Sequence, residues 1–230
     1  MGFSTEWEDA YNSGTNISIW PWSDLISLFY HYFPKSECDY SKMNVLELGC
    51  GAGANIPFFE AVGANYYSIE GSRTEVTVLN DRYTSPKIKI VEGDFSREIP
   101  FDVKFDLIFD RAAVAHNDTS DIKKIVKMSH DLLKKDGFFI GIDWFATKEK
   151  EYGSRQDMLE QIDDRTFKFG GNGTYANLGN VHFTDKEELL ELFADFVPQE
   201  LTLKSVETVM PYEDTAFHWN FVMKKKCKDE

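Results

Sequence analysis

The feature that most constrains this chain is a short buried strand running straight into three alternating glycines, Val45-Leu46-Glu47-Leu48-Gly49-Cys50-Gly51-Ala52-Gly53. Such a turn takes torsions closed to residues with a Cβ, and it leaves bare backbone against which a ligand can lie. In α/β sheets the crevice outside the strand carboxyl ends is where nucleotides bind. Two details set this turn apart from a dinucleotide fingerprint. The glycines are spaced G-x-G-x-G rather than G-x-G-x-x-G, and Glu47 sits two residues before the first of them. An acid pointing into the turn repels a pyrophosphate and suits a cationic ligand with an ammonium group. Glu70 ends the next strand, where a carboxylate can accept both ribose hydroxyls. The plain alternative, a glycine-rich strand–helix turn with no ligand, leaves both acids unexplained.

The surrounding rhythm supplies the sheet. Asn44–Leu48, Asn65–Glu70, Ile88–Val91 and Phe105–Phe109 are short apolar runs, separated by helical stretches at Ala54–Val62 and Ser72–Arg82. Ser120–Leu133 carries apolar residues at helical spacing, and Asp136-Gly137 then breaks the chain into a strand at Phe138–Trp144. This alternation predicts parallel strands with helices on both faces. Residues 1–43 precede it as an aromatic-rich helical cap, with Pro21 and Pro34 punctuating a helix that ends near Phe33. Residues 145–183 are polar and glycine-rich (Gly170-Gly171-Asn172-Gly173), a length typical of a lid or binding loop. In residues 184–230, Thr184-Asp185-Lys186-Glu187 is a capping box opening a helix to about Phe196. Leu201–Met210 and Phe217–Met223 follow as strands that can pair antiparallel at one sheet edge.

Composition removes several function classes. Among 230 residues, 25 basic against 39 acidic side chains give a net charge of −14, which repels a phosphate backbone at long range. The one dense basic run, Lys224, Lys225, Lys226 and Lys228, reads as a solvated tail. Cys38, Cys50 and Cys227 are an odd set without metal-ligand spacing, as in a reduced cytosolic protein with neither disulfide framework nor metal site. The start, Met1 to Glu8, is acidic and lacks the order of a secretory signal, and Gly2 stands in a poor context for myristoylation. No apolar run reaches the ~20 residues that a membrane helix needs. The expectation is a cytoplasmic protein with a small-molecule partner, no nucleic acid and no membrane; oligomeric state is not legible.

With these motifs in order, the chain resembles a class I S-adenosylmethionine-dependent methyltransferase, and residues 44–144 cover that family's cofactor-binding half. The resemblance implies a doubly wound, mostly parallel sheet of seven strands with an antiparallel last strand, and S-adenosylmethionine as cofactor, released as S-adenosylhomocysteine. Glu47, Gly49, Gly51 and Gly53 would cradle its methionine part, and Glu70, followed by Gly71, would take the ribose. Gly93-Asp94-Phe95 matches the adenine site, and Asp110-Arg111 the position nearest the transferring methyl.

Around that methyl the candidates carry double meanings. His116 follows Asp110-Arg111 closely enough to touch an acceptor, or it caps local backbone. Asp143 orients an acceptor or forms a turn. Arg111 suits an anionic acceptor through bidentate bonds, with Arg73, Arg155 and Arg165 as helpers, or it pairs with Asp110 or Asp118. His182 and Trp144 are candidates for the acceptor pocket. Tyr11 and Trp20, with Trp22 as an alternative, can close over a sulfonium through their ring faces or simply cover the sheet edge. His31 and His130 read as ordinary helix residues. Rival functions are a non-catalytic cofactor-binding scaffold, a protein methyltransferase and a nicotinamide oxidoreductase.

Overall fold

The computed structural model describes residues 5–12, 18–211 and 213–226. Gly2, Cys227 and Lys228 lie outside them. Strands β1 (Asn44–Leu48), β2 (Asn65–Glu70), β3 (Ile88–Glu92), β4 (Phe105–Arg111) and β5 (Leu133–Phe145) pair in parallel in the order β3-β2-β1-β4-β5. The sheet continues through β10 (Asp214–Lys225) to β9 (Phe196–Thr208), and β10 is antiparallel to both neighbours. β9 therefore runs with the first five strands, and β10 alone is reversed. This is the seven-stranded architecture that the resemblance implied.

Side-chain alternation along the strands divides the interior into two layers. Val45 of β1 faces helices α2 (Ser23–Tyr32), α3 (Ile56–Val62) and α4 (Arg73–Arg82), where it joins Phe29, Ile56, Phe59 and Leu79. Leu46 and Leu48 face the other way, toward Ile122, Ile125 and Val126 of α5 (Thr119–Leu132) and Leu189 of α7 (Lys186–Leu192). Helix starts follow local chemistry. Ser72 accepts from the Glu75 N–H at 3.2 Å, and Asp118 from that of Asp121 at 2.9 Å.

Three local expectations are corrected. The cap of α7 is Asp185, which accepts from the Glu188 N–H at 2.9 Å, because Thr184 is held extended by its own N–H bond to the Phe145 carbonyl. Asp136-Gly137 does not start a new strand. It forms an irregularity inside β5, whose pairing steps from Phe105↔Leu133 to Leu107↔Phe138 with Asp136 at φ +65°. Residues 145–183 are more ordered than their composition implies. They contain α6 (Lys150–Ser154) and a separate antiparallel sheet of β6 (Met158–Gln161), β7 (Thr166–Phe169) and β8 (Val181–His182). Phe167, Phe169, Tyr175 and Phe183 from this segment join the same apolar layer as α5.

The N-terminal cap is bonded into the fold by Phe29. Its fully buried ring lies 5.2 Å from those of Tyr40 and Phe58 and 5.3 Å from that of Phe33. Truncating such a ring leaves a cavity that the aromatic neighbours do not refill. Phe29→Ala should cost about 3–5 kcal/mol, read as a lower urea midpoint at unchanged slope.

Candidate active site

β1 and β2 end side by side, and the turn that follows β1 is clamped to the end of β2. The Gly51 N–H donates to Glu70 Oε2 at 2.7 Å, while Glu70 Oε1 accepts from the Ser72 N–H at 2.9 Å. Gly51 has φ +51°, and a Cβ there would meet the Tyr11 hydroxyl at 2.7 Å, so α1 (Thr5–Asn12) lies across the bare turn. Burial raises the Glu70 carboxyl above its usual range, against the pull of the backbone N–H groups. Glu47 is also buried and accepts from Asn55 Nδ2 at 2.8 Å and from the Tyr66 hydroxyl. Desolvation pushes its pKa to about 7. Among the described residues, no Lys or Arg side chain pairs with either acid.

The turn opens into a cavity of about 1100 Å³. That is slightly more than the usual span of roughly 300–1,000 Å³ for a single ligand site, enough for a nucleoside and a second molecule. Glu47, Gly49, Gly51, Glu70, Gly71, Asp94 and Phe95 all line it. Asp94 is braced by Ser96 Oγ at 2.6 Å and Arg97 Nε at 3.1 Å.

Beyond the turn, a carboxylate behind the wall sets the geometry. Asp110 is fully buried: Oδ2 accepts from the Val114 N–H and Oδ1 from Trp144 Nε1, each at 2.9 Å. These bonds hold the short 3-10 turn Val114–His116 that carries His116 into the cavity. His116 Nδ1 lies 2.7 Å from the Asn180 carbonyl, to which it must donate, so the lone pair resides on Nε2. Its ring meets Trp7 edge-on at 5.0 Å and Phe145 at 5.4 Å, and burial lowers its pKa to about 4.

At the far end Arg111 stacks 3.5 Å from the Trp22 ring centroid, and its Nε donates to Asp143 Oδ2 at 3.2 Å. Asp143, at φ +55°, also accepts from Lys204 Nζ at 3.1 Å on Oδ1. Lys204 is held in turn by Asp24. Asn220 closes the ring by accepting from the Asp143 N–H at 2.9 Å and donating to Asp24 at 3.0 Å. His218, also in the cavity wall, feels the charges of Asp143, Lys204 and Arg111.

Several expected site residues stand elsewhere. Trp20 is 72% exposed and is not part of the wall; Trp22 occupies the position expected of it. Gly53 is not part of the wall, and a Cβ on it would strike Leu79 at 2.6 Å. Asp110 and Trp144 sit behind the wall, bonded to each other, while Asp143 and Phe145 line it. His182 is buried against Thr166 Oγ1 at 2.9 Å. Arg155 stacks on Phe167 at 3.8 Å, and Arg165 pairs with Asp185 at 2.6 Å, so both serve the packing of the insertion. Arg73 is exposed, 4.0 Å from Glu92. Lys204, His218 and Asn180 had no signal in sequence, since strand pairing and the insertion's fold bring them in.

Residues 46–141 match the methyltransferase domain family. That stretch lies almost wholly within the half of the chain that carries the resemblance to the class I S-adenosylmethionine-dependent methyltransferases. Among curated methyltransferases, the phosphoethanolamine N-methyltransferase of Plasmodium falciparum (isolate 3D7) is 27% identical over 137 residues, 58% of this chain and 50% of that protein. The chain spans from about a quarter to half the length of the curated relatives it matches. Among solved methyltransferases, one from Methanosarcina mazei aligns with TM-score 0.70 at 16% identity, over 92% of this chain and 100% of that one. The 1,6-didemethyltoxoflavin-N1-methyltransferase of Burkholderia thailandensis, solved with S-adenosylhomocysteine, aligns with TM-score 0.62 at 17% identity, over 97% of this chain and 87% of that one. At such identities the structures speak for the fold.

Within the matched stretch, burial raises the Asp110 pKa to about 7. The folded chain thus binds that proton more tightly than the unfolded chain, and ionisation costs stability that grows from about pH 4 to pH 7. Relative to Asp110→Asn, the wild type should gain unfolding free energy as pH falls from about 8 to 5. A difference independent of pH in paired urea titrations would refute this.

Proposed function

We propose that this chain transfers the methyl group of S-adenosylmethionine to a small-molecule acceptor. The observation that carries the proposal is a glycine turn bounded by two buried carboxylates, with no Lys or Arg paired to either among the described residues, opening into the same cavity as His116. Such a donor set disfavours a pyrophosphate and fits a cationic nucleoside. The Gly49–Gly51 turn and Glu47 would hold its methionine part, Glu70 its ribose, and Asp94 with Phe95 its adenine. When bound, the cofactor supplies an electrophilic methyl carbon on a sulfonium.

The chain's own tasks are to orient the acceptor, exclude water and take up a proton. His116 is neutral at pH 7, and the Asn180 carbonyl fixes its tautomer, leaving Nε2 as proton acceptor. A base there favours methylation at oxygen, and Arg111 favours an anionic acceptor. Residues 1–43 act as a cap and 145–183 as a roof, a role supported by Tyr11 and Trp22 from the one and Leu178, Gly179 and Asn180 from the other in the cavity wall. A cytoplasmic setting fits the unpaired thiols Cys38 and Cys50. Among the described residues no helix is long and apolar enough to cross a membrane. The net charge of −14 supports a small acceptor over a nucleic acid.

Calorimetry should register binding of S-adenosylhomocysteine and none of NAD. His116→Ala should retain that binding while lowering turnover about 10²–10⁴-fold, read as S-adenosylhomocysteine release across an acceptor panel. Binding of NAD alone would sink the proposal.

A further inference from the structure

The cavity is chemically two-ended. Acids line its glycine-turn end, whereas Arg111, Lys204 and His218 gather round Asp143 at the other, with Asp24 bonded to Lys204 from outside the cavity lining. A census of hydrogen-bonding capacity there is lopsided. Asp143 spends one oxygen on Arg111 and the other on Lys204. Arg111 uses only Nε, and its two terminal nitrogens have no partner among the described residues. Lys204 commits two contacts, to Asp24 and Asp143, out of the three N–H bonds of an ammonium. The His218 ring has no hydrogen-bond partner among the described residues. The corner thus has donors to spare, while each oxygen of its one cavity-facing carboxylate already takes a donor.

Resting on the methyl-transfer reading, we propose that this corner is the recognition subsite for an oxyanion, a carboxylate or phosphate group carried by the acceptor. The oxyanion would bridge the Arg111 terminal nitrogens, the third Lys204 N–H and His218. Arg111 is already oriented on one face by Trp22 and on one edge by Asp143, which leaves its outer fork preset for bidentate contact. Asp24 and Asn220 steady Lys204 and Asp143 from behind the wall, so binding requires little rearrangement. Asp143 is a positioning residue in this scheme, and its strained backbone is fixed by the same ring of bonds. The cavity then holds a cation at one end and an anion at the other, with the reacting groups between them.

The test uses inorganic phosphate and acetate as minimal probes on the full chain saturated with S-adenosylhomocysteine, at constant ionic strength, with chloride as reference. In ¹H–¹⁵N spectra, the Arg111 Nε–H and Trp22 indole signals should shift saturably with at least one oxyanion and stay still with chloride. The two arms tell a phosphate-bearing from a carboxylate-bearing acceptor. Lys204→Gln should weaken binding about tenfold as read by the Arg111 signal, and Arg111→Gln about as much as read at Trp22. The control Arg73→Gln should change nothing. Cofactor-product affinity, measured on the same samples, should be kept in all three. If the product binds and neither oxyanion shifts these signals, or if both corner variants bind as the wild type does, the subsite is refuted and methyl transfer stands. If oxyanions bind but the product does not, the subsite survives and the methyl-transfer reading falls.

Discussion

The site depends first on the Glu70 carboxylate. One of its oxygens takes the Gly51 N–H and the other the Ser72 N–H, so a single side chain fastens the loop after β1 to the loop after β2. The bonds form in a buried setting, where they are stronger than in water and their loss would leave the acid uncompensated. The glycine turn then has one conformation, and Tyr11 can settle against it. Asp110 does the same service on the other side of β1, pinning the turn that carries His116. Two buried acids, with no countercharge among the described residues, thus frame the crevice through backbone N–H groups and the Trp144 indole.

The division of labour follows the sheet. Parallel strands β1, β2, β3 and β4 deliver their carboxyl ends to one edge, and those ends and the short loops after them decide where Glu70, Asp94 and His116 stand. The opposite corner of the cavity has another origin. Asp143 lies near the end of β5, Lys204 on β9, His218 and Asn220 on β10, and Asp24 in the first turn of α2. Their meeting requires the reversed strand to sit between its neighbours, pairing His218 with both Phe145 and Lys204.

That contrast explains what the sequence disclosed. The strands and the glycine turn were legible because each is a local pattern: a short apolar run, torsions only glycine takes, an acid at a strand end. β1 and β2 have the bounds expected for them. Trp144 and Phe145 were harder, because adjacent residues of a strand face opposite ways and composition does not say which faces the cavity. Arg155, Arg165 and His182 looked available because their segment is polar, but β7, β8 and α7 absorb them into its own packing. Lys204 and His218 were invisible. Nothing in a hairpin's own residues says which cavity the sheet will bring it to.

The insertion of β10 between β5 and β9 also orders events during synthesis. Every contact of the glycine turn is made by residues that leave the ribosome before β9 begins, whereas the Lys204–Asp143–Asn220 ring waits for β10 to slot home. The glycine crevice and the corner facing it are therefore separable modules in time. Under the proposed function, a lineage that reshaped the closing hairpin would retune what is modified while leaving the source of the transferred group untouched.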